Sequence, residues 1–173
     1  DLSKLVRLGN IYGFDVTGIK DKIEAGRTVK STLIRNLLRK GNFCRALKLL
    51  GHPYLISGKV VKGEGRGKLL GYPTANIETA PNKLIPKKGV YACRVVFGGN
   101  EYIGAVNIGR NPTFKGKKLM IEVNIVNFNK NIIGKRIFLL LEKHIRNEKK
   151  FNSVKALINA IRNDIKIAKK ILL

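Results

Sequence analysis

The chain has 173 residues, 44% apolar and 27% charged, with 18 Gly and 5 Pro, which fits one compact domain or one domain plus a fragment and excludes collagen-like or Pro-rich disorder. Lys+Arg 35 against Asp+Glu 11 leaves a net charge of +24. An anionic partner follows, whether a nucleic acid, a phosphorylated ligand or an acidic surface, unless the Lys, Asn and Ile spread along the chain reflect compositional bias.

In chain order, Asp1, Leu2, Ser3 and Lys4 give no basic stretch followed by an apolar one, and no apolar run approaches a membrane span. A cytoplasmic protein is expected. Leu33, Ile34, Leu37 and Leu38 then recur at helical spacing behind the capping candidates Ser31 and Thr32, and Gly41 ends that helix. A second helix is predicted over 43–50, opened by Asn42 and closed by Gly51 and Pro53. Cys44 and Cys93 have no Cys or His at ligand spacing, which predicts two core thiols and neither a disulfide framework nor a zinc site.

From Tyr54 onward, short segments rich in Val, Ile, Tyr and Phe alternate with Gly, Asn and Pro clusters. Strands are predicted over 56–61, 89–97, 102–107, 119–127 and 136–141, with Gly98-Gly99 as a hairpin turn between the second and third. With no helical pattern between them, antiparallel pairing in a small barrel or sandwich is expected. The last segment returns to helical period, with Val154, Leu157, Ile158, Ile161, Ile165, Ala168 and Leu172 on one stripe and Asn152 or Ser153 as cap. Such a helix closes an end of the barrel or covers one of its faces; a membrane surface is the other option.

The densest run of unusual residues is Gly63, Gly65, Gly67 and Gly71, followed by Pro73-Thr74-Ala75-Asn76. Closely spaced glycines let backbone N–H groups wrap a phosphate, although a ligand-free hairpin loop has the same composition. The Walker pattern fails because Gly67-Lys68 is followed by Leu69, and the Rossmann pattern fails because Pro73 prevents a helix after the glycines. Thr74 and Asn76 offer two hard oxygens on one side of an extended chain, suited to Mg²⁺ or to phosphate-bound water, or they form an ordinary turn. Glu122 shares a strand face with Met120, Asn124 and Val126. On an open face it is merely solvated, and under a cleft it is a general base. His52 and His144 read as structural, and Lys87-Lys88 and Lys117-Lys118 as solvated turn ends. Aromatic residues, at 7% with no Trp, are not interleaved with a basic segment as a single-strand nucleic-acid surface requires.

Five ordered segments carry a family resemblance. They are GEGRGKLLGYPTAN at 63–76, KGVYA at 88–92, VNIGRNPTF at 106–114, Glu122-Val123 with Asn127-Phe128, and IRNEKKFNS at 145–153. In order and spacing these resemble the riboflavin kinase module of bacterial bifunctional FAD synthetases. The resemblance implies a mainly β fold, a six-stranded antiparallel Greek-key barrel with a C-terminal helix, and transfer of the ATP γ-phosphate to the 5′-hydroxyl of riboflavin to give FMN. By motif, Gly63, Gly65, Gly67, Lys68 and Gly71 would cover the ATP phosphates, Thr74 and Asn76 would hold Mg²⁺ and phosphate oxygens, and Glu122 would accept the hydroxyl proton. Arg146, Glu148 and Phe151 would belong to a flap near the flavin. Tyr72 departs from the usual Phe or Ile, and the flap carries extra Lys.

The segments 29–38 and 41–53 resemble the end of the FMN adenylyltransferase module that precedes the kinase in that family. The chain has no His-x-Gly-His motif. The expected division is therefore 1–51, a helical adenylyltransferase remnant, and 52–173, the kinase domain, with FMN but not FAD as product. Riboflavin and ATP are the expected partners, with no specific nucleic acid and no membrane. A basic RNA-binding β-barrel module is the competing reading of the charge.

Overall fold

A computed structural model describes every residue except 25–26 and 111–118, and the side chains of Arg27 and Arg110 also lie outside the description. Thus Asn111-Pro112-Thr113-Phe114 and Lys117-Lys118 lie outside the described residues. The elements in order are α1 Leu2–Tyr12, β1 Ile23–Glu24, β2 Arg27–Thr28, α2 Ser31–Lys40, α3 Phe43–Leu50 and β3 Tyr54–Val61. They continue with α4 Arg66–Leu69, β4 Ala75–Thr79, β5 Gly89–Phe97, β6 Asn100–Arg110, β7 Leu119–Ile125, β8 Arg136–Arg146 and α5 Val154–Leu172.

The chain forms two compact units, Asp1–Ser31 and Thr32–Leu173. In the first, the Asp1 carboxylate accepts from the Lys4 amide at 2.8 Å and caps α1, Gly13 ends that helix at φ 72°, and β1 pairs with β2. The second unit holds a closed barrel of six antiparallel strands in the order β3-β4-β7-β6-β5-β8, with β8 returning to β3. Besides that closure, its neighbours break chain order where β4 pairs with β7 and β5 with β8. Phe97 pairs with Asn100, so Gly98 and Gly99, both at positive φ, make the two-residue turn that joins β5 to β6.

Alternation sets the barrel interior. Ile56 and Val60 on β3, Ile121 and Val123 on β7, and Ile137, Leu139 and Leu141 on β8 are all buried. β5 is buried on both faces along most of its length, because α5 covers its outside, where Ala168 and Leu172 pack on Ala92 with Ile103, Ile145 and Ile171 around them. The C-terminal helix thus covers a face. Ser153, rather than Asn152, caps it by accepting from the Ala156 amide at 3.1 Å. α3 turns Phe43, Ala46 and Leu49 inward, and Phe43 meets Tyr91 edge-on at 4.9 Å while Tyr91 meets His144 at 5.0 Å. These three rings cluster where β5 begins and β8 ends.

Four expectations change. The sixth strand of the barrel that the resemblance implies, β4, lies at 75–79, outside the five strands placed from the residue pattern. The glycine-rich loop contains one helical turn, α4. α1 was not anticipated. Cys44 is exposed, one position round α3 from its buried face, and only Cys93 is a core thiol.

Candidate active site

Strand order puts three polar residues in one line across the barrel. Asn76 on β4 pairs with Glu122 on β7, and Glu122 pairs on its other side with Asn107 on β6. Side chains at paired positions emerge on the same face of a sheet, so Asn76, Glu122 and Asn107 form a row. Glu122 stands on the face opposite the buried Ile121, Val123 and Ile125.

The loop between β3 and β4 lies against the Asn76 end of that row. A Cβ on Gly63 would sit 1.9 Å from Asn76 Nδ2, and one on Gly67 would sit 3.1 Å from Thr74 Oγ1 and 2.4 Å from the Tyr72 carbonyl oxygen. Glycine is required at both places so that backbone can touch the two side chains. Gly65 and Gly71 serve differently, at φ 74° and 79°, as turn points on either side of α4 with nothing within 4 Å of an added Cβ. Lys68 lies on α4 itself and borders an open groove of about 490 Å³. The groove also takes in Tyr72, Pro73, Asn124, Phe128 and Lys169.

Asn76 is buried, and its Oδ1 has no hydrogen-bond partner among the described residues. An acceptor buried without a donor calls for a cation or an incoming donor. No cluster of three or more His, Cys, Asp or Glu exists among the described residues, so a metal here would rest on neutral oxygens and on the ligand's own phosphates. Thr74 and Asn76, both facing the glycine loop, fit Mg²⁺ on that chemistry.

Glu122 is half-buried, and its pKa is raised, chiefly by burial and then by the Glu64 carboxylate, with Arg66 opposing. Glu64 and Arg66 pair with each other at 2.5 Å, so the loop brings both charges to Glu122. A carboxylate with a raised pKa is a stronger base when ionised.

The other end of the row meets the segment after β8. A Cβ on Gly109 would sit 2.4 Å from Glu148 Oε1 and 3.6 Å from Asn107 Nδ2, so Glu148 borders the Asn107 end, where Lys88 Nζ approaches its Oε2 at 3.7 Å. Arg146 is turned elsewhere. Its Nε and Nη2 donate to Asp164 of α5 at 2.9 and 2.8 Å, and its guanidinium stacks 5.5 Å from the Phe151 ring centre. Asp164 is 4% exposed, so this pair anchors the segment rather than presenting a free cation.

Gly63, Gly67, Thr74, Asn76 and Glu122 are thus brought together, and Glu148 joins from the opposite side, whereas Arg146 and Phe151 form a separate anchor. Two positioning residues escaped the sequence reading. Asn124 Nδ2 donates to the Pro73 carbonyl at 2.8 Å and pins the lead-in to β4 onto β7. Asp164 interrupts the apolar stripe of α5 between Ile161 and Ile165, a signal that was present in the sequence.

The model of the riboflavin kinase (flavokinase) family matches residues 50–172. The chain belongs to the riboflavin kinase family. Among relatives, the bifunctional riboflavin kinase/FMN adenylyltransferase of Escherichia coli K12 is 38% identical over 95% of this chain and 52% of its own length. That of Buchnera aphidicola from Schizaphis graminum is 39% identical over 98% and 55%. The chain spans about half the length of the curated relatives it matches. Among solved structures, a riboflavin kinase from Trypanosoma brucei matches with TM-score 0.52 and 25% identity over 70% of this chain and 78% of that one. A Streptococcus pneumoniae structure described as a macrolide-efflux protein matches with TM-score 0.81 and 33% identity over 94% and 53%. In this riboflavin kinase family member no helix among the described residues is long and apolar enough to cross a membrane.

Proposed function

We propose that this chain transfers the γ-phosphate of ATP to the 5′-hydroxyl of riboflavin, with Glu122 as the general base. One observation carries the assignment of roles. In the order β4-β7-β6, Glu122 stands between a glycine loop packed on Thr74 and Asn76 and the Glu148 carboxylate beside Asn107. Phosphoryl transfer needs a phosphate cradle on one side of a base and an alcohol on the other, and little else beyond alignment and charge neutralisation.

The backbone of 63–67 supplies N–H groups to the phosphates, the amides of 68–71 being taken up in the α4 turn, and Lys68 and Arg66 add positive charge at the loop. Thr74 and Asn76 would hold Mg²⁺, which when bound neutralises phosphate charge. Glu122 takes the proton from the ribityl hydroxyl as the oxygen attacks phosphorus. Glu148 and Phe151 flank the flavin side, with Arg146 holding that segment to α5 through Asp164. Such an ordered row favours the kinase over a basic RNA-binding module, which needs charge and stacking surfaces but no base beside a phosphate loop. A cytoplasmic location and a division at 51/52 between an adenylyltransferase remnant and the kinase belong to the same reading.

The test is formation of FMN from riboflavin, ATP and Mg²⁺, identified by mass. Wild type should produce FMN and Glu122→Gln should lose most of the turnover; a folded wild-type chain that yields no FMN would overturn the assignment.

A further inference from the structure

Besides the 124–129 segment at the end of β7, the wall of the 490 Å³ groove is made by two parts of the chain, the turn at 68–73 and the helix α5 through Ile165 and Lys169. One side-chain hydrogen bond spans them. Arg162 Nε donates to the Tyr72 hydroxyl at 3.4 Å, across 90 positions of sequence. Tyr72 is itself tied into the loop, because its amide donates to the Gly67 carbonyl at 2.8 Å and its carbonyl lies against Gly67. Whatever holds the Tyr72 ring therefore holds α4 and the glycines around it. At the other end of the bond α5 is firmly placed. Asp164, two residues from Arg162, binds Arg146 at the base of the Glu148 segment, and Ala168 and Leu172 sit in the core against Ala92.

We propose that Tyr72 and Arg162 form a latch that docks the glycine-rich loop onto α5, making both of them positioning residues for the nucleotide. The inference rests on the kinase reading for its kinetic consequence but not for its structural one. Through α5, the loop on one side of Glu122 and the Glu148 segment on the other share a single rigid support. Without the latch the turn keeps its Asn124 bond to Pro73, but the α4 end of the loop samples open positions more often, and ATP must then order it on binding, which weakens apparent affinity and leaves the aligned complex unchanged once formed.

Tyr72→Phe keeps the ring and removes the donated-to oxygen, and Arg162→Gln removes the donor. Loss of one hydrogen bond predicts a roughly 3–10-fold rise in KM for ATP in each variant with kcat changed less than about twofold. The double variant should be no worse than either single one, since both remove the same contact. Limited trypsin digestion reads the latch without any activity: cleavage after Arg66 and Lys68, located by mass spectrometry, should quicken by a similar factor in both variants. Cleavage rates equal to wild type, or a double variant whose effect is the product of the two singles, would overturn the latch. If wild type makes no FMN, the kinase reading fails and the digestion alone decides the latch.

Discussion

Gly63→Ala and Gly65→Ala differ by one methyl placed two residues apart, and the structure assigns them unlike costs. At Gly63 the new Cβ would lie 1.9 Å from Asn76 Nδ2 and 2.8 Å from its Cγ, and Asn76 is 8% exposed, with little room to yield. Restoring an ordinary contact requires a shift of about 1.5 Å, by the loop or by the Asn76 amide, at an overpacking cost of about 1–3 kcal/mol. Misplacing a reacting group by about 1 Å costs on the order of 10²-fold, and 10² is about 2.7 kcal/mol, so the two routes agree. At Gly65 nothing lies within 4 Å and only the φ of 74° resists a side chain, worth about 1 kcal/mol or roughly fivefold. In steady-state FMN formation, kcat/KM for ATP should fall about 10²-fold in Gly63→Ala and about fivefold in Gly65→Ala, with riboflavin affinity near wild type in both. A Gly63→Ala enzyme within threefold of wild type, or a larger loss in Gly65→Ala, would refute the packing of the loop on Asn76.

Glu122→Gln should lower turnover by roughly 10²–10⁴ while raising the melting temperature at neutral pH. The sign follows from its raised pKa: between the unfolded value of 4.5 and the higher folded value the native state holds the extra proton, so stability is lost as pH rises through that window, and Gln removes the penalty. Arg146→Ala strands Asp164 without its cation; as Arg146 is 24% exposed, about 2–3 kcal/mol is expected, or a Tm lower by roughly 4–12 °C. The pKa of His144 is lowered by burial and then by Lys87, with a backbone hydrogen bond to Arg146 opposing, and its buried Nε2 has no hydrogen-bond partner among the described residues, so native-state stability should fall as pH drops below the unfolded value of 6.5. Denaturant titrations at about pH 7.5 and 5.5 should show a smaller difference for His144→Phe than for wild type. Incubated with ATP, Mg²⁺ and FMN, the chain should give no FAD above a no-enzyme control by chromatography, since the described residues of 1–31 form one helix and one pair of two-residue strands.

The barrel was legible where β-branched and aromatic residues run unbroken between turn signals, as in β5, whose ends match the expected 89–97, and in the Gly98-Gly99 turn. β4 was missed because Pro73 and Thr74 read as a turn and Ile77 is its one large apolar residue, yet pairing to β3 and β7 makes it a strand. β6 was cut short at 102–107 although it runs to Arg110; Gly104 within it is there because Val95 and Cys93 fill the space its Cβ would take, at 2.8 and 3.0 Å. β8 continues past Leu141 to Arg146 beyond an irregular register with β5, where Lys143 and His144 break the apolar pattern. At the site, the glycine cluster, the Thr74 and Asn76 oxygens and Glu122 could be singled out one by one. Their juxtaposition could not, since it depends on β7 lying between β4 and β6, a fact of pairing that no local pattern encodes. The Arg146 ion pair with Asp164 and the Asn124 tie to Pro73 are likewise products of tertiary contact.

The seam that completes the barrel joins its first strand to its last, Tyr54 opposite Leu141 and Lys59 opposite Arg136. During synthesis β3 leaves the ribosome long before β8, and contacts so distant in sequence form late and slowly. Until then the emerging chain carries two unsatisfied strand edges, on β3 and on β5, each able to recruit a stray strand. A ribosome stalled before residue 136 would therefore release a sticky fragment and no partial barrel, and chaperone demand should end abruptly once β8 is free to zip both edges at once.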